Sequence, residues 1–257
     1  MLRSLLSSLS SVVILMTTTV LAADPKLDAA TFKPEGSDLG LKYRILKPET
    51  KAGEKLPLVL CFHGAGERGD DNEKHIGYFV PMWTGENATN YRAFFVLPQV
   101  PNNQLWASYG WSTKTDEMQP EPSQTMSLTR KLVDELLKNL PIDPDRIYVT
   151  GLSMGGYGTW EFGQRYSDIT AAIAPVCGGG DPRLAERIKH IPVWAFHGDK
   201  DGVVKVTETT KVTDALKKAG AQPKVTIYEG VGHDSWRPAY REKDLLKWMF
   251  AQRRATK

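Results

Sequence analysis

The chain has 257 residues, and 33 lysines and arginines against 30 aspartates and glutamates give it a formal charge of +3. Apolar residues make up 41% and charged residues 25%, which is typical of a soluble globular protein. These values exclude a disordered chain, a collagen-like fibre and a protein with several membrane spans, and the small positive surplus does not indicate a nucleic-acid partner. Since α/β folds often reach about 250 residues as one unit, we expect one domain.

Residues 1–22 have the composition of an export signal. Arg3 is their only charge, an apolar run follows, and the small residues Ala22 and Ala23 come next. A positive start, an apolar centre and a small-residue cleavage site form a secretory signal peptide. The alternative is a membrane anchor, which needs about 20 predominantly apolar residues, whereas seven of the 18 residues before Ala23 are Ser or Thr. We therefore expect a secreted or periplasmic domain of residues 23–257, without stable membrane association after cleavage.

Strand and helix patterns alternate along the rest of the chain. The predicted strands are short, apolar and bounded by Gly or Pro, and they cover 42–46, 56–62, 94–97, 146–150, 171–176, 193–197 and 224–228. The predicted helices cover 123–140, 153–166, 181–189, 206–219 and 239–253. This alternation predicts an α/β fold with a mostly parallel central sheet and helices on both faces. The interval 98–122 contains four prolines and no periodic pattern, and so long a loop in a compact domain is usually functional.

Two cysteines, Cys61 and Cys177, each lie in or next to an apolar strand pattern. An exported chain could pair them in a disulfide, but the apolar context favours two buried thiols. Two cysteines without a nearby pair of histidines do not make a zinc site. We therefore expect no metal.

Residues 146–160 read RIYVTGLSMGGYGTW and contain the pattern G-x-S-x-G between a predicted strand and a predicted helix. In this context the serine lies on a tight turn that exposes its hydroxyl. A side chain at Gly151 or Gly155 would collide with a neighbouring strand or helix. The start of the helix supplies unpaired N–H groups and the positive end of a dipole. The pattern therefore predicts that Ser153 is a nucleophile.

A serine nucleophile needs a base, and the base needs a carboxylate that orients it. The chain order Ser, acid, His leaves His197 and His233 as candidates for the base. His233 follows the last predicted strand and is our prediction, whereas His197 ends a strand and is interpreted as structural. Asp201, in the loop after the preceding strand, is the predicted acid.

Two other aspartates are alternatives to Asp201. Asp199 lies in the same loop, where we expect it to cap the turn through its own side chain. Asp234 adjoins His233 in the sequence and is expected to point away from it.

Together these stretches resemble the α/β-hydrolase superfamily and, more narrowly, secreted single-domain esterases related to feruloyl esterases, polyhydroxyalkanoate depolymerases and the "predicted peptidase" group. The matching stretches are LVLCFHGAGERGDDN, FFVLPQ, IYVTGLSMGGYGTW, VWAFHGDKDGVV and GVGHDSWRPAY. The resemblance implies an α/β-hydrolase fold, and the length leaves no room for a large cap domain. It also implies an oxyanion hole formed by the backbone N–H groups of Met154 and Ala65, with Gly66 as the alternative to Ala65.

Residues 64–69 also match G-x-G-x-x-G, a pattern of dinucleotide-binding folds. That function would need an acidic residue about 20 positions later, at the end of the next strand. The next predicted strand ends in Pro98 and Gln99 instead, so no cofactor is expected.

Seven tryptophans are a high number for this length. Trp106 and Trp111 lie in the irregular interval, and Trp236 follows His233 by three residues. We predict that these three bind substrate, because an aromatic cleft suits an aromatic or flat acyl group. The alternative is that these three side chains only pack their loops against the rest of the domain. Trp83 and Trp160 are expected to pack.

These features predict a serine carboxylesterase that hydrolyses feruloyl-, acetyl- or polyester-type esters through an acyl-enzyme intermediate. Its expected partner is a small-molecule or polymer ester. A serine peptidase with the same triad is one alternative. A non-catalytic binding module on a hydrolase fold is another.

Overall fold

A computed structural model describes residues 26–37, 39–110, 113 and 115–254, and the predicted signal segment 1–22 lies outside them. Within these residues the strands are β1 (Asp28–Phe32), β2 (Leu41–Leu46), β3 (Leu56–Phe62), β4 (Phe94–Pro98), β5 (Ile142–Leu152), β6 (Ala172–Val176), β7 (Trp194–Gly198) and β8 (Lys224–Tyr228). They form one sheet in the order β1-β2-β4-β3-β5-β6-β7-β8. The pairs β1–β2 and β2–β4 are antiparallel and the others are parallel. The predicted α/β fold is confirmed.

The helices cover both faces of this sheet. In the described part of the chain they are α1 (Glu86–Asn90), α2 (Gln124–Asn139), α3 (Met154–Arg165), α4 (Ala185–Ile188), α5 (Thr207–Lys218), α6 (Trp236–Ala239) and α7 (Leu245–Phe250). Short 3-10 segments cover Ala65–Glu67, Gly77–Met82 and Pro182–Leu184. Among these helices, none combines the length and apolar character required to span a membrane.

Some elements differ from the prediction. Of the predicted helix 239–253, only Leu245–Phe250 is helical, as α7, and the separate turn α6 ends where the predicted helix would begin. The mostly exposed charged residues 241–244 lie between these two turns, which both pack on the sheet. The predicted helix 181–189 is a 3-10 turn followed by the short α4. Strand β1 was not predicted, because DAATF contains one large apolar residue, Phe32, and lies at an exposed edge.

The central strand β3 joins two apolar layers. All seven of its residues are buried. Leu58, Leu60 and Phe62 point to the face covered by α2, α3 and α5. Val59 and Cys61 point to the face covered by α6, α7 and the 3-10 segment Gly77–Met82. A fully buried Leu or Val side chain stabilises the fold by about 1.5–3 kcal/mol, so the alternation along β3 holds both helical layers on the sheet.

The fold brings the predicted site together at one edge of the sheet. Because β3, β5, β7 and β8 are parallel, their carboxyl ends lie at the same edge, where ligands bind in open α/β sheets. The segment 63–68 follows β3, and Ser153 follows β5. Asp201 lies three residues after β7 and His233 five residues after β8.

The turn between β5 and α3 touches the end of β3 through backbone atoms. A Cβ atom at Gly155 would lie 1.9 Å from the carbonyl oxygen of Phe62, and one at Gly151 would lie 2.6 Å from the same oxygen. Atoms do not approach so closely without displacement of the backbone. Glycine is therefore required at both positions for Ser153 to stand beside the segment that follows β3.

We expect Gly155→Ala to lower the free energy of unfolding by more than about 3 kcal/mol, because its methyl group meets backbone that cannot rotate away. Gly77→Ala is the matched control, because a Cβ there meets no atom within 4 Å, and we expect it to change stability by about 0.5 kcal/mol or less. Urea denaturation measures both. Equal unfolding free energies for the two variants would contradict this account of the turn.

Candidate active site

Ser153 has a strained backbone. Its φ is +55° and its ψ is −117°, an unfavourable region for a residue with a side chain. Hydrogen bonds hold this conformation on both sides, since Ser153 N–H donates to Val176 O at 3.0 Å and Tyr157 N–H donates to Ser153 O at 3.1 Å. The strain places the hydroxyl in the turn beyond the end of β5, as G-x-S-x-G predicts.

A chain of hydrogen bonds joins Ser153, His233 and Asp201. Ser153 Oγ lies 2.9 Å from His233 Nε2, and His233 Nδ1 lies 2.8 Å from Asp201 Oδ2. The other carboxylate oxygen, Oδ1, accepts the N–H groups of Val203 and Val204, each at 2.8 Å. Because a carboxylate faces Nδ1, the ring proton lies there and Nε2 is free to accept the serine proton. The structure thus brings together the three residues that the sequence indicated for a triad.

The alternative acids have other partners. Asp199 Oδ1 accepts the N–H of Gly230 at 2.7 Å, so it connects its loop to the one after β8 instead of capping its own turn as expected. Asp234 forms an ion pair with Arg237 at 3.0 Å. Of the three candidate aspartates, Asp201 is the one bonded to His233.

The two residues whose N–H groups are predicted to form an oxyanion hole each begin a helical segment. Met154 is the first residue of α3, and Ala65 is the first residue of the 3-10 segment after β3, positions whose N–H has no acceptor within the helix. A Cβ at Gly64 would lie 3.7 Å from Ser153 Cβ, so the Ala65 segment passes beside the nucleophile. Gly66, the alternative donor, is exposed and one residue further along.

His63, between β3 and this segment, fixes the direction of the Ala65 N–H. His63 Nε2 accepts the N–H of Val100 at 2.9 Å, so the proton of the neutral ring lies on Nδ1, which donates to Gly64 O at 2.6 Å. The C=O and N–H of a trans peptide point in opposite directions, so this bond also orients the N–H of Ala65. Burial lowers the pKa of His63 to about 3. Sequence reasoning missed this role, although a His-Gly pair directly after a strand was the available signal.

The side chains of Arg68 and Gln99 hold the G-x-G-x-x-G segment in place. Arg68 Nε donates to Ala65 O at 3.0 Å. Gln99, at the position where a nucleotide-binding fold would need an acid, donates through Nε2 to Glu67 O and to Asp71 Oδ1, each at 3.1 Å. Arg68 thus fixes the loop through a bond to its backbone.

The three tryptophans predicted to bind substrate have different environments. Trp106 is fully buried, stacks on Phe62 with centroids 4.4 Å apart and donates its indole N–H to His63 O at 3.0 Å. The substrate-binding prediction for Trp106 is therefore wrong, because a fully buried ring has no surface for a substrate. The ring packs against Phe62 and bonds the backbone of His63 instead. Trp111 lies outside the described residues. Trp83 and Trp160 are buried and packed, as expected.

Trp236 is half-buried beside the candidate base. Its ring meets the His233 ring edge-on, with centroids 5.2 Å apart, and meets Tyr78 edge-on at 5.5 Å. A cavity of about 260 Å³ adjoins this pair and is also lined by Pro81, Arg237 and Arg241. Trp236 is thus the described candidate whose ring approaches both the triad and an open cavity.

Cys177 lies next to the triad, and its Sγ, an Asp201 carboxylate oxygen and a His233 ring nitrogen lie within 4.8 Å of one another. Burial raises the pKa of the Cys177 thiol to about 12, and a protonated thiol is a poor metal ligand. The facing atoms of Asp201 and His233 already share a hydrogen bond. These three groups therefore suit a hydrogen-bonded triad better than a metal. Both cysteines are buried free thiols.

The model of the dienelactone hydrolase family matches residues 110–243, more than half of the chain. The chain belongs to the dienelactone hydrolase family. The matched range includes Ser153, Asp201 and His233, and it places the chain among α/β-hydrolases, as its motifs predicted.

Two curated relatives carry names that the resemblance anticipated. Poly(3-hydroxyalkanoate) depolymerase C of Paucimonas lemoignei is 30% identical over 124 residues, which are 48% of this chain and 28% of that protein. Feruloyl esterase B of Piromyces equi is 31% identical over 120 residues, 44% of this chain and 20% of that protein. This member of the dienelactone hydrolase family thus spans less than a third of either relative.

A solved structure titled as a thermostable esterase has the same fold, with a TM-score of 0.82 and 35% sequence identity. The alignment covers 89% of this chain and 63% of that one.

The buried histidines predict a loss of stability in mild acid. Burial lowers the pKa of His63 to about 3 and that of His75 to about 4, whereas an unfolded histidine titrates near about 6.5. Between these values the unfolded chain binds protons that the folded chain does not, so stability falls as the pH falls through this window. From pH 7 to 5 we expect each ring to cost about 2 kcal/mol.

Urea unfolding at several pH values between 7 and 5 measures this loss. The variant His63→Asn keeps a donor for Gly64 O but removes the titrating ring. We expect its loss over the same interval to be about 2 kcal/mol smaller than that of the unsubstituted chain. Parallel pH dependences for the two chains would show that folding does not lower the pKa of His63.

Proposed function

We propose that this protein is a serine carboxylesterase. The observation that carries the proposal is the hydrogen-bonded series Ser153–His233–Asp201, in a member of a hydrolase family, beside the N–H groups of Met154 and Ala65. A nucleophile, an oriented base and two N–H donors are what acyl transfer requires. Two relatives and a solved structure are named as esterases or depolymerases, which supports the same activity.

Acylation begins when Ser153 Oγ attacks the ester carbonyl carbon. His233 Nε2, 2.9 Å from that oxygen, takes the hydroxyl proton. Asp201 keeps the other ring proton on Nδ1 and stabilises the imidazolium that forms. The carbonyl oxygen becomes an anion and accepts the N–H groups of Met154 and Ala65. Each such donor contributes about 3–4 kcal/mol to the transition state.

The leaving alcohol then takes the proton from His233 Nε2 as its bond to the acyl carbon breaks. Water next attacks the acyl carbon of the ester formed with Ser153, and His233 takes a proton from that water. The collapse of the second tetrahedral species releases the carboxylic acid, and His233 returns the proton to Ser153 Oγ.

We propose feruloyl-, acetyl- or polyester-type esters as the substrates. The half-buried rings of Trp236 and Tyr78 and the adjoining cavity of about 260 Å³ support an apolar or aromatic group of the substrate next to His233. Cavities with aromatic walls and a few polar groups are typical of small-ligand sites.

We also propose that the protein is exported, with cleavage after Ala22. The support is the composition of residues 1–22. The N-terminal residue of the protein recovered from outside the cytoplasm tests this proposal, and an intact Met1 there would contradict it.

The function is tested with a panel of esters and one amide. It contains p-nitrophenyl acetate, butyrate and octanoate, methyl ferulate, acetylated xylan and a p-nitroanilide peptide, each with the unsubstituted chain and with Ser153→Ala. We expect ester turnover that is lost in Ser153→Ala. Anilide cleavage without ester turnover would indicate a peptidase, and no turnover at all would indicate a binding module.

The neighbouring aspartates provide a matched pair. We expect Asp201→Asn to lower kcat by about 10⁴-fold, because an amide no longer holds the correct proton on His233. Asp199→Asn removes a charge two residues away, and we expect kcat to change by less than about threefold. Initial rates with p-nitrophenyl butyrate distinguish them. If both variants lost the same activity, a general effect on the loop would be the explanation.

Substitutions of Trp236 and Trp106 test which of the two rings binds substrate and which only packs. We expect Trp236→Ala to raise KM about tenfold for methyl ferulate while changing it little for p-nitrophenyl acetate, because about 1.4 kcal/mol of aromatic contact is lost. Trp106→Phe removes the indole bond to His63 O, so we expect lower stability with unchanged preference between the two esters. Kinetics and thermal unfolding of both variants check this, and an unchanged ester preference in Trp236→Ala would refute the binding role.

A further inference from the structure

The candidate acid has a second histidine beside it. His197 is the fourth residue of β7 and is fully buried. Its Nε2 lies 2.8 Å from Val204 O and 3.2 Å from Asp201 Oδ2. The same Oδ2 accepts the proton of His233 Nδ1 at 2.8 Å. One carboxylate oxygen therefore lies between two imidazole rings.

The surroundings of His197 determine which of its nitrogens carries the proton. Nε2 faces two oxygens that can only accept, so the proton lies there. Burial lowers the pKa of His197, so the ring is neutral and Nδ1 is an acceptor. The hydroxyl of Thr209 lies 2.8 Å from Nδ1 and 2.7 Å from Gly178 O, and its proton can turn to either. His197 thus presents one N–H to the acid loop and no charge.

Hydrogen bonds hold the loop that carries Asp201 in two ways: to the Asp201 carboxylate and to His197 of β7. Asp201 Oδ1 accepts the N–H groups of Val203 and Val204, and the carbonyl of Val204 accepts the proton of His197. The loop is therefore bonded to its own carboxylate and to the strand from which it departs. Rotation of the carboxylate away from His233 would break the two bonds to Oδ1 together with the bond to His233.

We infer that His197 is a positioning residue for the reaction: its Nε2–H holds Asp201 and the loop 199–204 so that Oδ2 faces His233. This inference rests on the proposed function. A neutral donor suits the role, because a second cation would compete with His233 for the negative charge of Asp201 when His233 becomes an imidazolium.

Two substitutions of His197 separate positioning from packing. In His197→Gln the amide nitrogen reaches the place of Nε2 and can donate to Val204 O. In His197→Asn the amide reaches the place of Nδ1, towards Thr209, and leaves the acid loop without its donor. We expect His197→Asn to lower kcat by about 10- to 100-fold with KM nearly unchanged, since small displacements of catalytic groups cost that much. We expect His197→Gln to stay within about fivefold of the unsubstituted chain.

Two controls show whether the effect passes through Asp201. His190→Asn alters an exposed histidine that faces Ser167 O, and we expect it to leave kcat unchanged. In the Asp201→Asn background we expect His197→Asn to lower kcat by less than about twofold, because coupled residues are not additive.

A readout without substrate tests the positioning directly. In proton NMR spectra the His233 Nδ1–H resonance, shifted downfield by its bond to Asp201, is expected to broaden or move upfield in His197→Asn and to persist in His197→Gln. If both variants lost kcat equally, in step with their melting temperatures and with this resonance unchanged, His197 would be a packing residue and the inference would be overturned. If the resonance responds as expected but no ester is hydrolysed, the positioning stands and the proposed function fails.

Discussion

The site depends on one close approach between backbones. The turn between β5 and α3 lies against the carbonyl of Phe62 at the end of β3, and only glycine at positions 151 and 155 permits this distance. The approach places Ser153 beside the segment that follows β3, so a nucleophile and the predicted backbone donor come together from distant parts of the chain. The strained conformation of Ser153, with φ at +55°, is maintained by this contact and by the bond to Val176 O.

Two buried histidines hold the loops on either side of that turn. His63 follows β3 and bonds the Gly64–Ala65 peptide. His197 lies near the end of β7 and bonds the loop that carries Asp201. Burial lowers the pKa of both rings, so each supplies a directed N–H without a charge. The reacting histidine, His233, is half-buried and shares a carboxylate oxygen with His197. Three histidines with the same side chain thus have different roles, because their burial and their hydrogen-bond partners differ.

A buried carboxylate of α3 bonds the irregular interval after β4 to that helix. Glu161 of α3 accepts the N–H of Ser108 at 2.6 Å and its hydroxyl at 3.0 Å, and Arg165 donates to the same carboxylate. Burial raises the pKa of Glu161, and these donors offset the cost of burying the group. Trp106 lies under this part of the interval, so the described portion of the loop is supporting structure for His63 and α3.

The class of fold, the resemblance to α/β-hydrolase esterases and the chain order Ser153, Asp201, His233 could be predicted from the sequence, because these depend on local patterns: an apolar run, a G-x-S-x-G turn and loops after strands. The sequence could not separate Trp106 from Trp236, since burial of Trp106 comes from Phe62, 44 positions earlier in the chain. It could not find the role of His197 either, because Val204, Thr209 and Asp201 surround the ring only after the strand and its loop have folded back. Neighbouring residues in the sequence determine the tendency to form a strand, a turn or a helix. The environment of a side chain depends instead on distant residues that come near it only when the sheet has packed.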